Sequence, residues 1–429
     1  MVERNPDLIV VGAGAAGMAC ALVAALNGLK VTLLEASDQV GGTTATSAGT
    51  LWVPGNSLAQ AAGCNDSIAA AEAYLEALIG TEDPGGLRCA YLRSAAEAID
   101  YLQANSWVKF RSAGTHPDYL ELPGAASAGR AISSLDFDGR LLGKEFARVR
   151  PPMPQFMVLG GMMVGKADVT ALLGRMRSLA NFAHSTRLVG RYAWDRLSGY
   201  GRGTRLVMGN ALVARLLYSL MQAGVDIRYD THLEGLLTDS SRVAGARVRH
   251  QGATKEIYAN NGVVLCAGGI GHSIRLREEF GAHALDSLSL SHAGNLGRGI
   301  EAARELGAAL LRSTPDFLWQ PVSTVPSMNG RPASLYPHLY LDRAKPGLLA
   351  VDGNGCRFVN EGASYHHFVE GMLHARQSPQ QLATAFLICS TDFIRQYGLG
   401  AIHPGTSHLK PWIRSGYIAV EETLDALSL

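Results

Sequence analysis

Residues 7–43 read DLIVVGAGAAGMACALVAALNGLKVTLLEASDQVGGT. The apolar run Leu8-Ile9-Val10-Val11 stops at Gly12, and Gly12-x-Gly14-x-x-Gly17 opens a run with helical spacing, Ala15 to Asn27. Met18, Ala19, Leu22, Val23 and Leu26 recur on one face of that helix, and Asn27-Gly28 ends it. A second apolar strand, Val31 to Leu34, ends in Glu35. Strand, tight turn, helix, strand is the order that binds a dinucleotide. Gly12 allows the turn, Gly14 lets the backbone approach a pyrophosphate, and Gly17 lets the helix sit close to the sheet. The N–H groups of the helix start then face the phosphates. Glu35 stands where an acid accepts from ribose hydroxyls, and its charge argues against a 2′-phosphate there. A glycine triplet alone is a weak signal; the flanking strands, helix and acid decide the reading.

The rest of the chain bounds that reading. Its 429 residues exceed what one compact core usually holds, so two or more domains are expected. With 47% hydrophobic and 17% charged residues it is globular with a large interior. A net charge of +1 gives no field to attract nucleic acid. The six cysteines are scattered, with no C-x-x-C pair, and read as small buried hydrophobes in a reducing compartment. No signal-like segment and no apolar run near 18 residues is evident, so the expectation is a cytoplasmic protein without a transmembrane segment. Oligomeric state is left open.

A second small-residue patch follows the first, Gly41-Gly42-Thr43 and then Ser47-Ala48-Gly49-Thr50. A nicotinamide-only domain has no need of it, whereas FAD requires the chain to run close along ribityl and pyrophosphate. Here the residues resemble the FAD-binding two-dinucleotide fold. Ile68 to Asn105 reads as two helices broken at Thr81 to Gly86. Leu172 to Trp194 reads as one helix with Arg175, Arg177, Arg187 and Arg191 on a solvated face. A helix from Asn210 to Ala223 and a strand from Val225 to Tyr229 lead into a β-meander around Leu233 and Val243. The strand Gly262 to Cys266 runs into Ala267-Gly268-Gly269, again suited to close approach to a dinucleotide.

Over essentially its whole length the chain resembles the flavoprotein family of 3-oxosteroid 1-dehydrogenases and fumarate reductase-like enzymes. The resemblance is carried by the fingerprint with Gly41-Gly42-Thr43, by Pro117-Asp118-Tyr119, and by GNLGRGIEAARELGAAL at 294–310. It continues in Arg357-Phe358-Val359-Asn360-Glu361 with Tyr365, and in Gly416-Tyr417-Ile418 with Thr423-Leu424. Two departures stand out. Gly297-Arg298-Gly299 replaces the family's Gly-Asp-Gly, and the chain stops at Leu429, where the family continues through a further cap and FAD-domain segment. The resemblance implies an α/β fold, with a Rossmann-like FAD-binding domain and β-meander at 1–311. An incomplete α+β substrate (cap) domain follows at 312–429. The cofactor is expected to be FAD rather than FMN, because the fingerprint is built around a dinucleotide pyrophosphate. Its site is expected to include Gly12, Gly14, Ala15, Ala16, Gly17, Glu35, Ala36, Gly41, Gly42 and Thr43. Ser47, Ala48, Gly49, Thr50, Leu233, Ala267 and Gly268 complete that set.

By resemblance, Tyr365 matches a proton-abstracting tyrosine and Tyr119 the tyrosine that hydrogen-bonds to it. The implied reaction is 1,2-dehydrogenation of a small, apolar, 3-ketosteroid-like substrate, with an unidentified electron acceptor. A base must reach the acidic proton beside the ketone, and a tyrosine of pKa ~10 needs neighbouring donors or a relay to favour its phenolate. An alternative keeps the flavin but reverses the reaction, reducing an unsaturated carboxylate, for which Arg343 and Arg395 are the candidate clamps. A third reading is a truncated, non-catalytic flavin-binding protein. Glu361 is expected to close a structural hydrogen bond. No metal site is expected from His366, His367 and His374, since no carboxylate spacing completes a tetrahedral set.

Overall fold

The computed structural model describes residues 5–280, 288–310, 320–328, 330, 332–339, 342–376, 378 and 381–427. The chain divides into two compact units, Met1–Ile270 with Ser291–Leu311, and Gly271–Leu290 with Arg312–Leu429.

The first unit is built on a four-stranded parallel sheet. The first elements are β1 (Leu8–Val11), α1 (Ala15–Leu26) and β2 (Val31–Leu34). Later in the chain come α2 (Met208–Gln222), β3 (Asp226–Arg228), β4 (Thr231–Asp239), β5 (Arg242–His250), β6 (Ala253–Tyr258) and β7 (Gly262–Leu265), then α3 (Arg298–Glu305). The sheet runs β3-β2-β1-β7, with Leu8 opposite Val31 on one side and Gly262 on the other. An apolar strand such as Leu8–Val11 belongs at the centre of a parallel sheet because both its faces are covered. Val10 and Leu33 turn to one face, against Met18 and Leu22 of α1 and Val213 and Leu217 of α2. Ile9, Val11 and Leu34 turn to the other, against Leu233, Ala246 and Val248 of the antiparallel β4-β5-β6 meander and Ala302 of α3. The two-residue alternation of a strand thus sorts one short run into two cores.

The paired helices expected before residue 105 are Ile68–Ile79 and Leu87–Asn105. The long basic helix is different: it is two helices, Lys166–Leu173 and Leu179–Leu197. Gly174 ends the first, and Ser178 starts the second by accepting from the Asn181 N–H at 3.1 Å. A serine in a run of apolar spacing competes as a cap, which periodicity alone does not register.

The second unit contains β8 (Val322–Val325), β9 (Ser334–Pro337), β10 (Leu348–Val351), α4 (Tyr365–His374) and β11 (Phe386–Cys389). β8 pairs with β9 and β10 with β11, each an antiparallel ribbon. Two-stranded ribbons need a covering layer. Phe393, Ile394, Leu399 and Ile402 supply it against Leu348, Leu387, Trp412 and Tyr417. Among the described residues no helix is long and apolar enough to cross a membrane.

Candidate active site

At the carboxyl ends of β1, β2 and β7, where ligands of open α/β sheets bind, the chain makes its tightest turn. The Gly12 N–H donates to the Leu34 carbonyl at 2.8 Å, and the Cys266 N–H to the Val11 carbonyl at 2.8 Å. Gly12 has a φ of +100°, and a Cβ there would collide with the Cys266 carbonyl oxygen. A Cβ on Gly17 would collide with the Gly12 carbonyl oxygen, so α1 lies directly on the turn. Gly14 is the opposite case: a Cβ there meets no atom within 4 Å. Its space opens outward from the turn, as a phosphate approaching the backbone requires. Gly14, the residue before α1, has no side chain to cap the helix, and its first turn holds no acid, so its positive end faces that space. The Ala15 N–H donates to Thr44 Oγ1 at 3.3 Å, and Ala16 is exposed.

Glu35 ends β2 and is 8% exposed. One carboxylate oxygen accepts from the Ala13 N–H at 2.9 Å, and the other from the Ser37 N–H and hydroxyl, each at 2.9 Å. A carboxylate has roughly four acceptor positions, so room remains for a ribose hydroxyl. Ala36 follows on the surface. Arg150 donates to Ser37 Oγ at 3.0 Å and buries its Nε with no hydrogen-bond partner among the described residues. Burial pushes its guanidinium below its ordinary value, against the pull of Glu35 and Asp38. Neither Arg150 nor Ser37 stands out in the sequence.

The second glycine patch joins this rim. The Gly41 N–H donates to the Ala13 carbonyl at 2.8 Å and the Gly209 N–H to the Ser47 carbonyl at 3.2 Å. A Cβ on Gly49 would collide with the Gly209 amide, so Ser47 to Thr50 is pressed against the start of α2. Thr43 Oγ1 accepts from the His292 N–H at 2.9 Å and from Asn295 Nδ2 at 3.5 Å. Asn295 lies so close to Gly268 that a Cβ there would strike its amide oxygen, and the Gly297 N–H donates to the Gly269 carbonyl at 3.0 Å. Residues 12–17, 35, 41–50 and 267–269 are therefore contiguous, joined by 291–297. His292, Asn295 and Thr44 are additions; the GNLGRG stretch signalled part of them. Leu233 is placed differently. Its side chain is packed with Ile9, Val11 and Leu34, which leaves only its backbone to face a ligand.

The catalytic candidates fall in separate units. Tyr119 is 55% exposed on a loop that Asp118 anchors. Asp118 accepts from Trp52 Nε1 at 2.7 Å, Arg130 Nη1 at 2.7 Å and the Ala126 N–H at 3.0 Å. Tyr365 opens α4, half-buried, behind the N-cap Ser364, whose Oγ accepts from the His367 N–H at 3.2 Å. Glu361 is structural: it accepts two bonds from Arg357, at 3.0 and 2.6 Å, and one from the Ala350 N–H at 2.9 Å. Although burial works to raise it, these donors hold its carboxyl below the ordinary value. Arg343 is 1% exposed. Its guanidinium donates to the carbonyls of His338, Glu361 and Ala363 at 2.6, 2.7 and 3.1 Å, and to that of Leu339. Arg395 pairs with Asp392 on the surface.

Fold and site define a dinucleotide-binding α/β flavoprotein. A family model described as an FAD binding domain matches residues 7–419, and the chain belongs to that family. Among its relatives is a 3-oxosteroid 1-dehydrogenase of Mycolicibacterium smegmatis, 32% identical over all of this chain and 75% of its own length. A 4-oxocyclohex-2-ene-1-carboxylate 5-dehydrogenase of Sinomonas cyclohexanicum is 34% identical over 98% of this chain and 71% of its own. The crystal structure of a 3-ketosteroid delta1-dehydrogenase from Sterolibacterium denitrificans, in complex with 1,4-androstadiene-3,17-dione, superposes with a TM-score of 0.82. That match has 32% identity and covers 95% of this chain and 73% of the other. The chain is an FAD-dependent oxidoreductase.

Proposed function

We propose that this chain dehydrogenates the CH–CH pair beside a ring ketone of an apolar, steroid-like substrate. The observation that carries the reading is the 32% identity with a 3-oxosteroid 1-dehydrogenase over the whole chain. Tyr365 at the head of α4 supports it. The glycine turn and the start of α1 bind the pyrophosphate, Glu35 the ribose, and 41–43, 47–50 and 267–268 run along the rest of the cofactor. Leu233 contributes through its backbone. Tyr365 takes the proton from the carbon next to the ketone, and Tyr119 keeps the supporting role that the resemblance implies. The carbon–hydrogen pair left behind becomes the new double bond as a hydride leaves the neighbouring carbon. FAD, when bound, supplies the acceptor for that hydride.

The reverse reaction on a small unsaturated carboxylate needs a cationic clamp. Arg343 spends its guanidinium on backbone carbonyls, which favours the ketone reading, and Arg395 lies on the surface beside Asp392. The Sinomonas relative, named for a cyclohexene ketoacid, bears on substrate size rather than reaction type. The test is anaerobic. The FAD-loaded protein is mixed with 4-androstene-3,17-dione, 4-oxocyclohexanecarboxylate or succinate, and flavin absorbance is followed. Bleaching by the steroid at the lowest concentration is expected. Bleaching by the ketoacid alone overturns the steroid assignment, and bleaching by neither ketone overturns the reaction.

A further inference from the structure

A cluster of four side chains lies inside the second unit, apart from Tyr365. His338 Nδ1 is 2.6 Å from Asp342 Oδ2, and His338 Nε2 is 2.8 Å from Ser323 Oγ. Ser323 Oγ is in turn 2.8 Å from the Tyr417 hydroxyl, which accepts from the Ala401 N–H at 3.1 Å. Antiparallel pairing brings these groups together. Ser323 on β8 lies opposite Tyr336 on β9, and the His338 N–H extends the ladder by donating to the Pro321 carbonyl at 2.8 Å. Asp342 follows four residues later, fixed by the N–H groups of Arg343 at 2.9 Å and Gly400 at 3.2 Å. Gly400 is at φ +55°, and a Cβ there would collide with the Tyr417 hydroxyl, so glycine admits the phenol. His338 and Asp342 are 8% and 5% exposed.

The bonds run in one direction. His338 Nδ1–H donates to the carboxylate, the Ser323 hydroxyl donates to Nε2, and the Tyr417 hydroxyl donates to Ser323 Oγ. Burial works to raise the Asp342 carboxyl, yet its hydrogen bonds from His338 and the Gly400 N–H leave it below its ordinary value, so it is an anion. Tyr336, whose ring centroid is 5.1 Å from that of His338, has its phenol pushed up by burial and by Asp342 and stays neutral. Arg343 is committed to carbonyls. The anion therefore faces the imidazole alone among side chains of this cluster.

We propose that Tyr417, Ser323, His338 and Asp342 form a proton relay. The Tyr417 O–H bond breaks and its proton passes to Ser323 Oγ, while the Ser323 proton passes to His338 Nε2. The result is a Tyr417 phenolate, accepting from the Ser323 hydroxyl and the Ala401 N–H, and an imidazolium held by Asp342. Burial and Asp342 raise the Tyr417 phenol above its ordinary value against the pull of Ser323 and Ala401, so the phenolate is a transient and not the resting form. Charge is conserved; the Tyr417–Ser323 and Ser323–His338 bonds are remade in the opposite sense, and the His338–Asp342 bond keeps its direction. A Ser-His-Asp set in hydrolases turns the serine oxygen toward substrate. Here Tyr417 covers it, which makes Ser323 an internal link rather than a nucleophile. The relay rests on the proposed dehydrogenation for its purpose, since that reaction releases one proton per turnover and the relay stores one in this unit. Ser323, His338 and Asp342 act through Tyr417 and are positioning residues.

Two measurements on the full-length, FAD-loaded protein test it. In ¹⁵N-histidine NMR spectra, Tyr417→Phe is expected to shift the His338 Nε2 resonance across the intervening serine; no shift overturns the relay. In anaerobic flavin bleaching by 4-androstene-3,17-dione, Ser323→Ala is expected to slow reduction about tenfold or more. Ser323→Thr, which keeps the hydroxyl, should stay within about twofold, as expected of a link that needs only the O–H. Equal rates for wild type and S323A, or an equal loss in S323A and S323T at unchanged melting temperature, overturn it. Covalent labelling of Ser323 by a fluorophosphonate also overturns it, in favour of a nucleophile. If no ketone bleaches the wild type, the proposed function fails, and the histidine spectra still decide the relay.

Discussion

Around Gly12 the site is made of backbone; around Tyr365 and His338 it is made of side chains. In the first unit, glycine turns and strand ends create the space, and specificity comes from amide groups whose position the fold dictates. In the second, the proposed chemistry falls to a few side chains on ribbons and turns. Each owes its place to a partner far along the chain, as Ser323 does to His338 and Tyr417. A backbone site tolerates no added atoms but is indifferent to most side chains. A side-chain site tolerates reshaping but fails when one polar atom is removed. Substitutions in the two units should therefore fail in different ways.

The largest effect is expected within the glycine turn itself. Gly17→Ala drives a methyl group into the Gly12 carbonyl, which is backbone and has nowhere to go. Overpacking of this kind costs roughly 1–3 kcal/mol or more, and the protein should melt well below wild type and purify without FAD. Gly14→Ala adds the same methyl where nothing lies within 4 Å. Its apoprotein should melt like wild type, while FAD binding weakens at least about tenfold because the pyrophosphate can no longer approach. Melting curves with and without FAD separate the two. Equal behaviour of both variants would mean that the turn does not work as described.

Next comes Tyr365→Phe. It removes one oxygen from a half-buried residue at a helix start, far along the chain from the glycine turn. FAD content should be unchanged, and flavin reduction by a 3-oxosteroid should slow by about 10²- to 10⁴-fold, the usual worth of a positioned base. Tyr119→Phe, a support rather than the base, should cost about tenfold less. Stopped-flow bleaching reads both. A larger loss at Tyr119 than at Tyr365 would exchange the two roles.

The same contrast explains what could be read from the sequence. The strand, turn, helix and acid of residues 7–35 are local, and each glycine has one physical reason to be there. The β-meander and the Ala267-Gly268-Gly269 strand end were equally visible from alternation and small residues. What the sequence hid is what non-local pairing creates. The Ser323–His338 contact exists because β8 and β9 pair in one register, and no spacing rule announces it. Asn295 meets Gly268 only through the return of 291–297 to the first unit. Arg343 reads as a candidate carboxylate clamp, yet four carbonyls claim it. Leu233 reads as a site position, and its side chain serves the core, a placement that sequence alone does not announce.

The smallest expected effect concerns acid, and it sharpens the comparison because each unit holds a buried aspartate whose carboxyl lies below its ordinary value. Burial works to raise Asp168, but the Gly165 N–H at 2.8 Å, Arg205 at 2.8 Å and His184 at 2.8 Å hold its carboxyl below the ordinary value. Asp342 is lowered in the same way by His338 and two N–H groups. A carboxyl whose folded pKa lies below its unfolded value of about 3.9 contributes stability above that value and loses it as pH falls through the folded one. Both units should therefore lose melting temperature below about pH 4. Asp168→Asn and Asp342→Asn should each lower it at pH 7 and flatten its fall in acid by about 2–4 °C. The units differ in which partner is left exposed to the change. Asp168→Asn leaves Arg205, always charged, with Asp136 at 2.6 Å as its remaining partner, so added salt should partly restore stability. Asp342→Asn takes the carboxylate from no arginine or lysine, so salt should do nothing there. Melting curves against pH at two ionic strengths read all four outcomes. A salt response in the Asp342 variant would mean that His338 is held as a cation at rest, and that the proton of the relay already sits on the imidazole before any substrate arrives.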